Sequence, residues 1–496
     1  MIAKPSNPKT KPSRMACAAA LCLCLLSGCN VGPRYVPPAA PTAPAFKEAA
    51  PAAYSAAPPG TWQPAQPQDA VLKGKWWEMF NEPELNALED RLNIDNQNIA
   101  QYFQNFMAAR AQVREARAGY FPTLTVVPSY TRTRAGGTEA GVATTKGATT
   151  VSDYQLPFDV SWEPDLWGRI RNTVKEFNSA AQVSAADLEN ERLTEQAALA
   201  EFYFELRGQD ALQDLYNRTV VVYRQLLELT RAMAETGIGN QEAVAEADVT
   251  LKNAEAAGIG IAVNRALYEH AMATLIGTPA SSFSMPVKNL ATPVPAIPVG
   301  VPSQLLQRRP DIAAAERTMA QANAIIGVEK AAYYPTLSLT GSGGLQSTAI
   351  AKLFSLPALF WSLGASATET LFDAGLRKAT VAQFTATYNA DVAAYKQTVL
   401  TAFQQVEDYI STLRVTSQQI AKQAAAVQAA QLYVEIATAR YQTGLDPYLD
   451  VLTAQNTLLS GQQTLVTLRV SEMTAAVQLI QALGGGWDVT QLPTTK

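Results

Sequence analysis

Leu156-Pro157-Phe158-Asp159-Val160-Ser161-Trp162-Glu163-Pro164-Asp165-Leu166-Trp167-Gly168-Arg169 is the stretch on which the reading of the fold turns. In its first half Leu156, Phe158, Val160 and Trp162 are apolar, and Asp159, Ser161 and Glu163 between them are polar. Successive side chains of a strand point to opposite faces, so this pattern describes a strand with one apolar and one polar face. The second half hands over at Arg169 to a run rich in Ala, Gln and Leu, with very little Gly or Pro, that lasts until Glu235. Such a composition favours helix. At about 1.5 Å per residue this helix would be roughly 100 Å long. No single globular domain needs a helix of that length, whereas a hollow coiled bundle does.

Outward from this junction the chain repeats itself. Tyr120-Phe121-Pro122-Thr123-Leu124 recurs as Tyr333-Tyr334-Pro335-Thr336-Leu337. Leu166-Trp167-Gly168-Arg169 has a looser echo in Leu371-Phe372-Asp373-Ala374-Gly375, Thr236-Gly237-Ile238 recurs as Thr443-Gly444-Leu445, and Leu275-Ile276-Gly277 pairs with Ala482-Leu483-Gly484. Landmarks in one order at nearly one offset mark an internal duplication. Each copy reads helix, strand, loop, strand, very long helix, turn, helix. The second long helix is expected over Leu376–Gln442, and shorter helices over Asn93–Gly119, Gln241–Ile276, Pro310–Ala332 and Pro447–Ala482. The second strand pair is read from Leu337 and Leu339, and from Trp361, Leu363, Ala365 and Ala367, each set alternating with small polar residues. Thr123 to Thr131 alternates less cleanly, and Gly341 to Leu359 is expected to be irregular. Thr278 to Val301, rich in Pro, joins the copies and cannot be one regular element.

The N-terminus carries an address. Lys4, Lys9, Lys11 and Arg14 precede an apolar run, Met15 to Leu26, that is too short to span a bilayer. Leu26-Ser27-Gly28-Cys29 follows and resembles the bacterial lipobox, whose Cys receives a diacylglycerol and an N-acyl chain once the signal is removed. Cys17, Cys22 and Cys24 would leave with the signal, so Cys29 would be the one cysteine left and no disulfide framework is expected. In the lipoproteins that this motif resembles, Asp after the Cys often retains the protein at the inner membrane, so the resemblance implies that Asn30 favours sorting to the outer membrane. Residues 31–70 are rich in Pro and Ala and read as an extended tether.

No mature segment offers ~18 consecutive apolar residues, so a transmembrane helix is not expected. Alternating strands of roughly nine to eleven residues have the length of an outer-membrane barrel, with Tyr120, Phe121, Trp162, Trp167, Tyr333, Tyr334 and Phe372 at their ends as an interfacial girdle. Four strands cannot close a barrel, so the chain must oligomerise. Two copies would give eight strands and a filled interior, whereas three would give twelve and a pore.

With Lys and Arg at 39 against Asp and Glu at 43, the composition shows no basic face for nucleic acid. His270, the only histidine, has no second ligand by spacing and reads as structural rather than metal-binding. Glu407-Asp408 reads as a solvated face, and Gly484-Gly485-Gly486 is followed by no Lys-Ser/Thr and is no phosphate loop. An enzyme is the least expected class, and the sequence offers no nucleotide site, so energy for transport through such a pore is expected from a partner.

These pieces resemble a known family. Trp76-Trp77 with Phe80, Pro83, Leu85 and Asn86; Trp162-Glu163 with Asp165-Leu166-Trp167-Gly168-Arg169; Pro302-Ser303 with Leu305-Leu306; Arg308-Arg309-Pro310-Asp311-Ile312 with Ala315-Glu316; Tyr334-Pro335-Thr336-Leu337; and Ala482 to Trp487 are similar to the TolC-type outer-membrane factors. Within that family the chain resembles the NodT-type lipoproteins of resistance-nodulation-division efflux. The resemblance, from Cys29 to about Trp487, implies a mainly α fold with a transmembrane β-barrel: a homotrimer with a 12-stranded barrel on a long periplasmic α-helical barrel. It implies a channel-tunnel that passively conducts drugs or other toxic solutes, with a periplasmic adaptor and an inner-membrane pump as partners. A type I secretion duct and a non-conducting coiled-coil lipoprotein are the alternatives. The expected divisions are a signal peptide (1–28), an acylated tether (29–75), repeat 1 (76–277), a linker (278–301), repeat 2 (302–487) and a tail (488–496). The resemblance also places a periplasmic gate at Leu449 and Asp450, with Thr453 where relatives carry a second acidic residue. Asp446 stands beside them and is read first as a cap for the helix starting near Pro447.

Overall fold

The computed structural model describes residues 30–43, 45–48, 74–134, 150–290, 292–297 and 305–493. Cys29 and the signal preceding it lie outside the described residues. The helices longer than two turns are α1 (Pro83–Asp95), α2 (Gln97–Ala118), α3 (Arg169–Glu235), α4 (Gln241–Leu275), α5 (Pro310–Ala331), α6 (Leu376–Gln442) and α7 (Tyr448–Ala482). The strands are β1 (Thr123–Val126), β2 (Ser129–Arg134), β3 (Thr150–Trp162), β4 (Thr336–Ser347) and β5 (Leu359–Thr368). α3 and α6 each contain 67 residues, with the bounds that their composition implies. No described helix is long and apolar enough to cross a membrane.

Three expectations are corrected. The helix expected over Asn93–Gly119 is two helices, because Asn96 closes α1 and its Oδ1 accepts from the Ile99 amide at 2.9 Å to start α2. The strand expected over Thr123–Thr131 is broken into β1 and β2 around Pro128, which has no N–H for a ladder. Both halves pair with β3, so the five segments occupy four strand positions. Gly341 to Ser347, expected to be irregular, continues β4: Gly341, Gly343 and Gly344 pair with β3 and β5, and glycines display no alternation to read.

The chain folds as two units. Unit 1 contains residues 30–38, 107–181 and 316–393, and unit 2 contains 39–106, 182–315 and 394–496, each within the described range. Unit 1 holds one antiparallel sheet with β1 and β2 beside β3, then β4, then β5. Helical segments join this sheet at one end; β2 ends, β3 begins and the β4–β5 connection lies at the other. At the helical end Trp167 stacks on Tyr334 at 4.9 Å and donates its indole N–H to the Pro335 carbonyl. Trp162 donates likewise to Tyr120.

Unit 2 is built on a core that includes Trp76, Trp77, Phe80, Leu85, Leu92, Tyr203, Phe204, Met272 and Ile480. Beside it the Arg207 side chain, 2% exposed, meets Glu84 at 2.5 Å, Asp210 at 3.0 Å and the Pro286 carbonyl at 2.6 Å. Arg265 holds Asp210 and the Met285 carbonyl, and Lys288 holds Glu82. This network fastens the connection after α4 to α1, α3 and α4, and breaking one member would strand a buried charge. The Arg309 fork grips Asp311, and its Nη1 reaches Gln405 and the carbonyl of Ala482 at the end of α7. Among the buried residues in this unit is Glu89, whose carboxylate oxygens have no hydrogen-bond partner among the described residues. Burial pushes its pKa well above the usual carboxylate range.

Candidate functional site: the channel wall and the hairpin tip

The pairing register sorts the sheet into two chemically distinct faces. One face carries the rows Trp162–Leu339–Ala365, Leu124–Val160–Gly341–Leu363, Val126–Phe158–Gly343–Trp361 and Leu156–Leu345–Leu359, and then the pair Tyr130–Tyr154. The opposite face carries Thr123–Ser161–Thr340–Gly364, Thr125–Asp159–Ser342–Ser362 and Ser129–Gln155–Gln346, interrupted by Pro157–Gly344–Phe360. On the apolar face Trp361 and Leu363 are 75% and 81% exposed in the protomer. A contiguous apolar face of that extent needs a non-aqueous covering. The glycines of β4 make room on that face, since Gly343 lies opposite Trp361 and Gly341 opposite Leu363. On the polar face Asp153 accepts from Gln155 and Gln346. The sheet thus has one apolar and one hydrophilic face, the division that the wall of a membrane pore requires.

The second candidate element is where α3 turns into α4 and α6 into α7. After Glu235 the amides of Ile238 and Gly239 bond back to the Met233 carbonyl, with Gly237 at φ +78°. After Gln442 the Leu445 amide bonds to the Arg440 carbonyl and the Gly444 amide to Tyr441, with Gly444 at φ +72°. Both are Schellman-type caps, which need a left-handed residue followed by an apolar one. That requirement explains physically why Thr-Gly-Ile recurs as Thr-Gly-Leu. The Thr236 and Thr443 hydroxyls bond to the preceding turn. Asn240 caps α4 through the Ala243 amide at 2.8 Å.

At the α6–α7 tip the cap reading of Asp446 is corrected. Pro447 occupies the N-cap position of α7, and no side chain caps it. Asp446 instead takes a two-point hydrogen bond from Arg440, 2.5 Å from Nε and 2.8 Å from Nη2. A bidentate guanidinium–carboxylate pair outcompetes a cap that would require Asp446 to turn toward the helix. The hydrogen bond to Arg440 holds the Asp446 carboxyl below the usual range, and Asp446, with Asp450 contributing, raises Arg440. Arg440, which pairs with one of the candidate residues, is a neighbour that sequence reasoning missed. The available signal was a cation in the last turn of a helix six residues before the carboxylate. Leu449 is 57% exposed and Asp450 half-buried in the first turn of α7. Thr453 turns its hydroxyl to the Leu449 carbonyl at 2.8 Å. Beneath them Tyr441 and Tyr448 meet edge to face at 5.6 Å, in a core with Tyr223, Met233, Leu251 and Val451. Burial pushes Tyr223 and Tyr448 up to about 12, and the ionisable groups around the tip are Arg440, Asp446 and Asp450 together with Glu242 and Glu246 of α4.

The sequence matches the outer membrane efflux protein family over residues 89–278 and 301–485. The chain belongs to the outer membrane efflux protein family. It is 32% identical over 467 residues to the toluene efflux pump outer membrane protein TtgC of Pseudomonas putida, covering 93% of this chain and 94% of that one. Identity and coverage are the same for the antibiotic efflux pump outer membrane protein ArpC, also of Pseudomonas putida. Among solved structures the outer-membrane channel OprN superposes with a TM-score of 0.84 at 28% identity, covering 92% of this chain and all of that one. This efflux protein is therefore an outer-membrane channel, mainly helical, with tandem repeats and a strand region for the membrane.

The N-terminal segment of this efflux protein is fastened rather than free. In unit 1 the Asn30 side chain accepts from the Gly32 amide at 3.1 Å and from the Asn172 amide group at 3.0 Å, at the start of α3. Tyr35 donates to Glu316, and Asn323 to the Pro33 carbonyl. In unit 2 Glu407 accepts from the amides of Lys47 and Glu48, and Arg414 pairs with Glu48. The solvated reading of Glu407 is thus corrected: its carboxylate docks the tether, and two backbone donors reward it more than water would. His270 lies exposed on α4 and takes no part in the tip.

Proposed function

We propose that three copies of this efflux protein close one barrel of twelve strand positions and conduct solutes passively across the outer membrane. The observation that carries this reading is the two-faced sheet with two open edges. Among the described residues β1 and β2 pair only with β3, and β5 pairs only with β4. Open edges are untenable in hydrocarbon, where every backbone group needs a partner. β1 and β5 run in opposite directions, so a β5-to-β1 joint between copies continues the antiparallel pattern. The channel draws its energy from an inner-membrane pump of the resistance-nodulation-division type, reached through a periplasmic adaptor. Relatives named for toluene and for antibiotics at equal identity favour small organic solutes as cargo.

In this reading Leu449 and Asp450 of three copies form the narrow rings of the resting mouth, and Arg440 holds Asp446 and Asp450 in the closed arrangement. Three carboxylates at one axis attract cations and repel anions. Cys29 carries the lipid, and Asn30, tied to the helical end of the sheet, keeps that anchor near the inner leaflet. The divisions are a signal (1–28), a tether (29–75), repeats (76–277 and 302–487), the linker between them and a tail (488–496). Single-channel recording of purified protein in planar bilayers tests the mouth. Asp450→Asn is expected to lower cation selectivity and Leu449→Ala to raise resting conductance. If both conduct and select like the wild type, the mouth lies elsewhere.

A further inference from the structure

We infer that Arg132 and Arg134, on the outward face of β2, form a ledge that binds phosphate groups of outer-leaflet lipid headgroups. This rests on the reading of the sheet as a membrane barrel and adds a specific lipid contact to it.

The register places the two arginines. Tyr130 lies opposite Tyr154, Arg132 opposite Ser152 and Arg134 opposite Thr150. Tyr154, Ser152 and Thr150 share the parity of Leu156, Phe158, Val160 and Trp162, so both guanidinium-bearing residues stand on the apolar, outward face. That face has a sequence of zones along β3: Trp162, three apolar residues, Tyr154, then Ser152 and Thr150. Trp162 and Tyr154 are eight positions apart, or ~27 Å along the strand and roughly 20 Å along the membrane normal at an ordinary tilt. That matches an outward apolar band bounded by two aromatic girdles. Tyr130 and Tyr154 stack with ring centroids 4.7 Å apart, as a girdle pair at the end remote from the helices.

Arg132 and Arg134 follow two and four residues beyond Tyr130, so they rise about 5 and 10 Å above the girdle. The headgroup layer begins there and is of that thickness. Both arginines are exposed, and the residues opposite them are hydroxylic. Among the described residues near them, the carboxylate of Asp153 lies on the inward face and is engaged by Gln155 and Gln346. Two planar guanidinium groups, two residues apart on one face and directly above an acyl-facing surface, suit phosphates carried on acyl chains. The phosphate comes from a lipid and not from free solution, because the apolar rows below engage the chains of the same molecule.

The test uses the full-length trimer in a neutral detergent, with diphosphoryl lipid A as probe and native mass spectrometry as readout. The double variant R132Q/R134Q is expected to bind about thirtyfold more weakly than the wild type while remaining a conducting trimer. Inorganic phosphate at the same concentration should not displace the lipid, and K252Q, on α4, should bind as the wild type does. If the double variant loses the trimer, R134Q alone, at the end of β2, is expected to weaken binding about fivefold. Binding by the variant trimer within twofold of wild type, or equal binding of a dephosphorylated lipid by the wild type, overturns the ledge. Conductance of that same variant reports separately on the channel.

Discussion

Substituting Gly484 by alanine tests whether the glycine shared by Ile276-Gly277 and Leu483-Gly484 has a structural cause. Gly484 follows α7 at φ +93°, and a Cβ there would sit 2.1 Å from the Arg308 carbonyl oxygen and 2.7 Å from its carbon. Ordinary contact begins near 3.4 Å, so backbone rather than a side-chain tip would have to move by more than 1 Å. Gly277, the counterpart in the first repeat, has the Asp95 carbonyl oxygen at 2.4 Å in the same role, at φ +68°. Forcing a β-carbon into a left-handed conformation costs ~1–2 kcal/mol, and displacing packed backbone adds ~1–3 kcal/mol. The smaller entropy of the unfolded alanine chain returns ~0.4–1 kcal/mol. The net expectation is a destabilisation of ~2–4 kcal/mol. Gly260 is the control: it lies inside α4, and nothing approaches its Cβ position within 4 Å in the protomer. Alanine there should be neutral or should stabilise by up to ~1 kcal/mol through helix propensity. The assay is thermal unfolding of the detergent-solubilised protein by tryptophan fluorescence, at one scan rate because such unfolding is often irreversible. The melting temperature should fall for Gly484→Ala and should hold or rise for Gly260→Ala. Equal melting temperatures for Gly484→Ala and wild type would refute the backbone clash.

Three further outcomes follow from the site and the core. Arg440→Gln should raise resting conductance at neutral pH. The wild type should approach the variant only in strong acid, because Asp446 has a lowered pKa and its pairing, present above the ordinary carboxylate range, is lost as pH falls through that lowered value; identical conductance at neutral pH would remove Arg440 from the mouth. Cys29→Ser should abolish acylation, since a hydroxyl does not replace the thiol, and mass spectrometry of the mature N-terminus that finds no acyl chain on the wild type would sink the anchor. Glu89→Gln should stabilise increasingly as pH rises from 4.5, because a carboxyl with a raised folded pKa loses stability once its unfolded form ionises; a gap in melting temperature between variant and wild type that is constant from pH 4.5 to 8 would show that Glu89 is not held protonated.

Much of the architecture is local, and local rules suffice to read it. The two 67-residue helices begin and end where composition says, because Schellman turns at Gly237 and Gly444 need glycine followed by an apolar residue. The alternation in Leu156 to Trp162 was enough to give that strand two faces, since the period of a strand is two wherever it is placed. What escaped the reading was set by partners distant in sequence. β4 runs through Gly341, Gly343 and Gly344 because β3 and β5 pair with it, and glycine leaves no side-chain trace of that pairing. Asp446 has the composition of a cap, yet the geometry of Arg440 decides its role. Glu407 looks like a solvated helix residue until the tether, some 360 positions earlier, brings two amides to it. Periodicity and turn chemistry thus specify the elements and the faces they present. Which charge meets which donor depends on tertiary placement, because a hydrogen bond or ion pair is decided by ångströms that no spacing along the chain encodes.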